Sequence, residues 1–240
     1  MASTSENTFG SILRRAQNLL TYILGFVGYN PPRAQESTAG MTTLINSIIA
    51  INATESSQYA NYRSAVDARQ IAFINRPGSI DKLLSPIKGA VDAQYGKKSA
   101  EAIIINSIIK KMRSTKLPKT PSSTTVPTEA SLAKVISQSE RSYGSMTQSF
   151  NDIINSLTQF VGYNPTNNSL KVASLQTTAT QITALNNAVA QKIQLLNATR
   201  SGRHVFYSDL KDRVQRIKSY VKAQYGTSSP EYKLIKGIKI

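Results

Sequence analysis

One hexapeptide occurs twice. Phe26-Val27-Gly28-Tyr29-Asn30-Pro31 returns unchanged as Phe160-Val161-Gly162-Tyr163-Asn164-Pro165, 134 positions later. Ala93-Gln94-Tyr95-Gly96 likewise returns as Ala223-Gln224-Tyr225-Gly226, at an offset of 130. A Ser-x-Glu follows each, Ser99 to Glu101 and Ser229 to Glu231. A unit of roughly 105 residues has therefore been duplicated, with small length changes between its motifs. A 240-residue chain built this way is expected to hold two domains of ordinary size.

Within each copy the apolar residues keep helical spacing. Ile12, Leu13, Ala16, Leu19, Leu20, Ile23 and Leu24 form one stripe, and Met146, Phe150, Ile153, Ile154, Leu157 and Phe160 its counterpart. Ser11 and Ser145, each after an aromatic-Gly step, suit N-caps because a serine hydroxyl accepts from a free amide of the first turn. Gly28 and Gly162 are expected at the left-handed C′ position, with Pro31 and Pro165 blocking continuation. A long second helix is predicted over Gln35 to Asn75, with a break near Asn52 to Ser57, and over Asn168 to Thr199. A third helix carries Ile80, Leu83, Leu84, Ile87 and Val91, or Leu210, Val214, Ile217 and Val221, and ends at Tyr-Gly. A short fourth segment closes each copy, and Ile235 to Ile240 reads equally well as helix or extended chain.

No strand hairpin is evident, so the expected fold is all-α: two tandem homologous antiparallel helical bundles of three to four helices each. The boundaries are 8–113 for the first repeat, 114–130 for a Pro/Ser/Thr linker containing Pro118, Pro121 and Pro127, and 131–240 for the second repeat.

Charge is the most function-like property. The chain has 29 Lys and Arg against 13 Asp and Glu, a net charge of +16. Segment 76–119 holds ten basic and three acidic residues, and segment 200–240 again ten and three. Nearly all the excess therefore sits in the third and fourth helices of the two copies and the start of the linker. Such a balance attracts polyanions and makes binding salt-dependent. The candidate polyanion-binding residues are Lys211, Arg213, Arg216, Lys218, Lys222, Lys233 and Lys236 in the second copy, and Lys88, Lys97, Lys98, Lys110 and Lys111 in the first. Lys211, Lys218 and Lys222 lie on one side of the 210-214-217-221 seam, with Arg213 and Arg216 on the other. Long stems there also suit the edge of a core. Tyr220, Tyr225 and Tyr232 are either base-stacking residues or packed rim residues.

Catalytic chemistry finds no foothold. There is no cysteine and one histidine, His204, expected near a helix start and facing solvent. Thiol chemistry and His-pair metal sites are thereby excluded. Asp209 and Asp212 share a helix face, but Arg213 stands four residues from Asp209 and offers an ion pair. No phosphate-loop, dinucleotide or nucleophile-elbow motif occurs. The chain reads as no enzyme, with no cofactor and no metal. Arg14-Arg15 before an apolar run mimics a signal peptide. The run aligns with Met146 to Val161 of the second copy, however, and reads as a repeat helix, which makes a cytoplasmic protein without a membrane span the expectation.

Arg203 to Tyr207, the run Lys218-Ser219-Tyr220-Val221-Lys222, and Tyr225-Gly226 with Ser229, Glu231, Tyr232 and Ile238 carry a resemblance. Over about forty residues this pattern, Y-V-K-x-x-[YF]-G-x-x-S-x-x-Y, resembles the C-terminal portion of uncharacterised helical bacterial proteins, chiefly of Bacteroidota and some cyanobacteria. The first copy keeps Tyr95-Gly96 and Ser99 but has Ala102 in place of the tyrosine. The resemblance implies a helical unit and brings no activity. The functional expectation is a basic binding or scaffolding protein that engages a polyanion, nucleic acid foremost. The alternative is a structural protein that binds its own kind or another protein through the Ile103, Ile104, Ile105, Ile108 and Ile109 run.

Overall fold

The computed structural model describes residues 8–74, 76–114 and 129–240; of residues 114 and 129–142 it describes the backbone path alone. Most of the expected linker 114–130 lies outside the described residues. The described chain is helical, and no strand occurs among the described residues. Seven α-helices follow in order: α1 (Phe9–Leu24), α2 (Thr38–Phe73), α3 (Ile80–Tyr95), α4 (Ala100–Ser114), α5 (Glu129–Gln159), α6 (Val172–Tyr225) and α7 (Pro230–Ile235). A 3-10 turn precedes α2 at Ala34–Glu36 and another precedes α6 at Asn168–Leu170.

Several local expectations are revised by the backbone. The cap of α1 is Thr8, whose hydroxyl accepts from the Ser11 amide at 3.2 Å. Ser145 lies inside α5, which begins upstream at Glu129. The helix preceding each hexapeptide ends before its glycine: α1 stops at Leu24 with Gly25 as its cap, and α5 stops at Gln159. Gly28 and Gly162 do take positive φ, 74° and 78°, but in the turn beyond the helix. The break expected near Asn52 is absent, because Asn, Thr and Ser each weaken a helix by only a few tenths of a kcal/mol and neither Pro nor Gly stands there.

The second and third helices expected in the second copy are one helix of 54 residues, α6. In the first copy Pro77-Gly78 interrupts the same junction, Gly78 with φ of 82°, and separates α2 from α3. The matching residues in α6 are Tyr207 and Ser208, which do not break a helix. Gly202 lies within this helix. Its missing side chain lets the helix approach α2, since a Cβ there would stand 3.3 Å from Ile51 Cδ1. His204 is consequently in mid-helix; it is exposed, with its ring edge-on to Phe9 at 5.6 Å.

Two compact units result. Unit 1 combines Met1–Ala60 with Gln194–Ile240, and unit 2 is Asn61–Ile193. Each draws on both halves of the chain. The unit 1 core gathers Ala16, Leu19 and Ile23 of α1, Met41, Leu44, Ile45 and Ile48 of α2, and Leu210, Val214, Ile217 and Val221 of α6 with Ile235 of α7. The unit 2 core gathers Phe73, Ile80, Leu84, Ile87, Val91, Ile105 and Ile109 of the first copy with Phe150, Ile153, Leu157, Leu175 and Ile182 of the second. Of the isoleucine run, Ile105 and Ile109 are therefore core, whereas Ile103 and Ile104 are 61% and 44% exposed.

The repeated motifs explain this pairing. Tyr225 Oη donates to the Val27 carbonyl at 3.0 Å, and its ring meets Phe26 edge-on. In unit 2, Tyr95 Oη donates to the Val161 carbonyl at 3.0 Å, and its ring meets Phe160 in the same way. Each hexapeptide is thus locked by the Tyr-Gly motif of the other copy. Tyr29 Oη donates to the Glu36 carbonyl at 2.7 Å and Tyr163 Oη to the Leu170 carbonyl at 3.1 Å, so each tyrosine also pins the 3-10 turn that follows it.

Candidate functional site

The twelve basic candidates divide between the units. Lys211, Arg213, Arg216, Lys218, Lys222, Lys233 and Lys236 belong to unit 1; Lys88, Lys97, Lys98, Lys110 and Lys111 belong to unit 2. Three of them serve the fold. Arg213 forms a two-pronged pair with Asp209, Nε to Oδ1 at 3.0 Å and Nη2 to Oδ2 at 2.7 Å. Its Nη1 donates to the carbonyls of Gln35 and Gly40 at 3.0 and 3.1 Å. These bonds tie α6 to the start of α2, where a Cβ on Gly40 would stand 2.3 Å from the Ala34 carbonyl oxygen. Lys218 Nζ donates to the carbonyls of Lys236 and Ile238, past the end of α7, and burial pulls its pKa below the usual lysine range. Lys88 pairs with Asp92 at 2.5 Å, one turn along α3.

The others face solvent. Lys97, Lys98, Lys110, Lys211, Lys222, Lys233 and Lys236 are exposed and form no ion pair among the described residues. Lys111 is exposed too, and Arg216 lines a cleft described below. Because Lys218 reaches the chain after α7, the α6 row of Lys211, Lys218 and Lys222 adjoins Lys236. The two arginines on the other flank of the seam face the start of α2. Tyr220 and Tyr225 are rim residues: Tyr220 Oη donates to the Asn30 carbonyl at 2.8 Å, as Tyr225 does to Val27.

Inside unit 1 a second basic arrangement is largely shielded from solvent. Glu55 of α2 takes Arg200 Nε and Arg203 Nη1 at 3.1 Å each, and Arg203 also lies over the Phe9 ring at 4.3 Å. In unit 2, Arg69 lies over Tyr143 at the same distance. Such buried cations anchor helices and are not available to a ligand.

Periodicity and charge counting missed one feature. Pro31, Pro32, Arg33, Glu36, Asp212, Gln215, Arg216, Ser219 and Tyr220 line a cleft of about 510 Å³ in unit 1. Glu36 is 3% exposed; its Oε2 is 3.5 Å from Arg33 Nε and its Oε1 is 3.9 Å from Arg216 Nε. Burial, Tyr220 and Glu36 together push the Tyr29 phenol well above its usual range, so it stays a donor at any ordinary pH. The corresponding cleft of unit 2, about 390 Å³, is lined by Pro86, Ala90, Pro165, Thr166, Asn167 and Leu170 among others, with no charged side chain. The signal was present in the repeat alignment, where Arg33 and Glu36 face Asn167 and Leu170.

Among the described residues no group of His, Asp and Glu is placed to hold a metal ion. No described helix is long and apolar enough to cross a membrane. Comparison of the chain with family models, with curated proteins and with solved structures finds no match.

Proposed function

We propose that this is a non-enzymatic basic binding or scaffolding protein that engages a polyanion, nucleic acid foremost. The observation that carries the reading is the set of exposed candidate lysines with no ion pair among the described residues: Lys211, Lys222, Lys233 and Lys236 in unit 1, and Lys97, Lys98 and Lys110 in unit 2. Surface lysines that only solvate a protein are commonly interspersed with acids, and here segments 76–119 and 200–240 each hold ten basic residues to three acidic. Each phosphate neutralised releases counterions, so affinity falls steeply with salt. Five contacts give a log-log slope of roughly −4.5, a loss of about 500-fold between about 50 and 200 mM salt. Filter binding of a labelled oligonucleotide at those two concentrations tests this. Absence of binding at the lower salt, or affinity indifferent to salt, refutes it.

A second reading, a structural or protein-protein module that binds its own kind or another protein, is favoured by a different observation. The two hexapeptide turns expose Val27 and Val161 at 90% and 91%, and α4 exposes Ile103 and Ile104. Light scattering coupled to size exclusion tests self-association, and a monomer at every concentration removes that form of it.

A further inference from the structure

A duplicated fold contains its own control. What the fold requires should recur in both copies, and a costly feature found in one copy alone calls for another explanation. Both clefts share a frame: the hexapeptide proline, the tyrosine that pins the 3-10 turn, and that turn itself. The side chain that the turn buries differs. Unit 2 buries Leu170, 5% exposed and part of its core, whereas unit 1 buries the Glu36 carboxylate. Taking a carboxylate out of water is unfavourable unless its oxygens are fully satisfied, and Glu36 Oε1 has no hydrogen bond. Leu170 shows that the frame closes without a charge.

The other differences fall around the same carboxylate. Arg33 stands where unit 2 has Asn167, Arg216 where it has Pro86, Tyr220 where it has Ala90, and Asp212 where it has Lys82. Glu36 faces both arginines through their Nε atoms. Both guanidinium groups, 48% and 53% exposed, line the same cleft, and Arg33 Nη2 also donates to the Gln35 side chain. No hydrogen bond among the described residues engages the Nη1-Nη2 fork of Arg216, and such forks match phosphate oxygens two at a time. Pro31, Pro32 and Tyr220 supply an apolar and aromatic wall, and the Tyr220 ring is fixed through its hydroxyl. Asp212 places an acceptor on the rim, suited to sugar hydroxyls. The volume lies within the range of about 300–1,000 Å³ typical of small-ligand sites.

We infer that the unit 1 cleft is a nucleotide subsite. A phosphate group sits on Arg33 and Arg216, the base packs against Tyr220 and the proline pair, and Glu36 acts as the positioning residue for the two arginines. The inference rests on the polyanion reading and narrows it to one phosphate and its nucleoside in one place. Unit 2, which keeps only Pro165 of these residues, carries no equivalent site.

Calorimetric titration of the full chain with AMP, inorganic phosphate and adenosine tests it. AMP should bind saturably and more tightly than either fragment. Glu36→Leu and Arg33→Asn install the unit 2 residues, so thermal unfolding should be unchanged or raised while AMP affinity drops about tenfold or more. Three results overturn the inference: no saturable AMP binding at millimolar concentration, a Glu36→Leu chain that binds AMP like wild type, or phosphate binding as tightly as AMP. A Glu36→Leu chain that fails to fold overturns the argument from the sister unit. The two proposals also fail separately. An oligonucleotide that binds at low salt while AMP does not removes the cleft alone. AMP binding without any oligonucleotide binding removes the polyanion reading and leaves the cleft.

Discussion

Arg213 separates two roles that a count of basic residues merges. Replacing it with alanine removes a partly buried bond to the Gly40 carbonyl, an exposed bond to the Gln35 carbonyl, and the pair with Asp209, whose side chain is 42% exposed. A charge-assisted bond to a partly buried carbonyl contributes about 1.5 kcal/mol, and its exposed neighbour about 0.5. The solvent-screened ion pair within the helix adds about 0.4, and lost packing of the stem about 0.5. The sum is about 3 kcal/mol. For a chain of this size that lowers Tm by roughly 6–12 °C. Lys222→Ala, at an exposed position on the same helix, should stay within about 0.5 kcal/mol of wild type. Arg213→Lys should fall between, because one ammonium cannot span Asp209 and two carbonyls. Far-UV circular dichroism melts at neutral pH, paired with oligonucleotide titration at low salt, give both readouts. An Arg213→Ala chain that melts within about 1 °C of wild type but loses binding would refute the clamp and return Arg213 to the binding surface.

Three further outcomes are expected. Glu55→Ala leaves Arg200 and Arg203, 6% and 15% exposed, without their shared carboxylate; chemical denaturation should register a loss of about 3–5 kcal/mol. A protease site placed within residues 115–128 and cleaved in the folded chain should leave the two fragments co-eluting in native buffer and separating in urea, since each core contains helices from both sides of the cut. Separation without denaturant would contradict the core assignments. Burial, followed by the nearby Tyr95, pushes the Tyr163 phenol up to about 12 from 10. Its contribution to stability is complete below pH 10 and disappears as pH climbs through about 12, so Tm should fall across that window. Tyr163→Phe should flatten the fall, and an unchanged pH profile would refute the assignment.

The helices and their seams were legible because apolar spacing of three and four records which face is buried: 210, 214, 217 and 221 are all core. The stop at Tyr-Gly was legible as well, since Gly96 and Gly226 take φ of 91° and 93° directly after α3 and α6. Which segments pack together was not legible. The seam of one helix carries no address for its partner, and two copies with the same motifs can pair within a copy or between copies. Among the basic residues, Lys222 and Arg213 look equivalent in a charge count. Only the positions of Asp209 and of the Gln35 and Gly40 carbonyls distinguish them. The Glu36 cleft could have been noticed by asking where the copies disagree instead of where they agree.

The exchange of halves also sets an order of events on the ribosome. Unit 2 is one continuous stretch, residues 61–193, and can close as soon as it has emerged. Unit 1 cannot, because its Val27 carbonyl waits for a hydroxyl 198 residues downstream. At about 5–20 residues per second the 133 residues between its two segments take roughly 7–27 s to make. Through that interval α1 and the first half of α2 lack the α6 and α7 side chains that complete their core, and non-local closure of this kind is slow in any case. The N-terminal quarter of the chain is therefore the part most dependent on chaperone protection. A nascent chain stalled short of residue 194 would present a finished second unit beside an unfinished first.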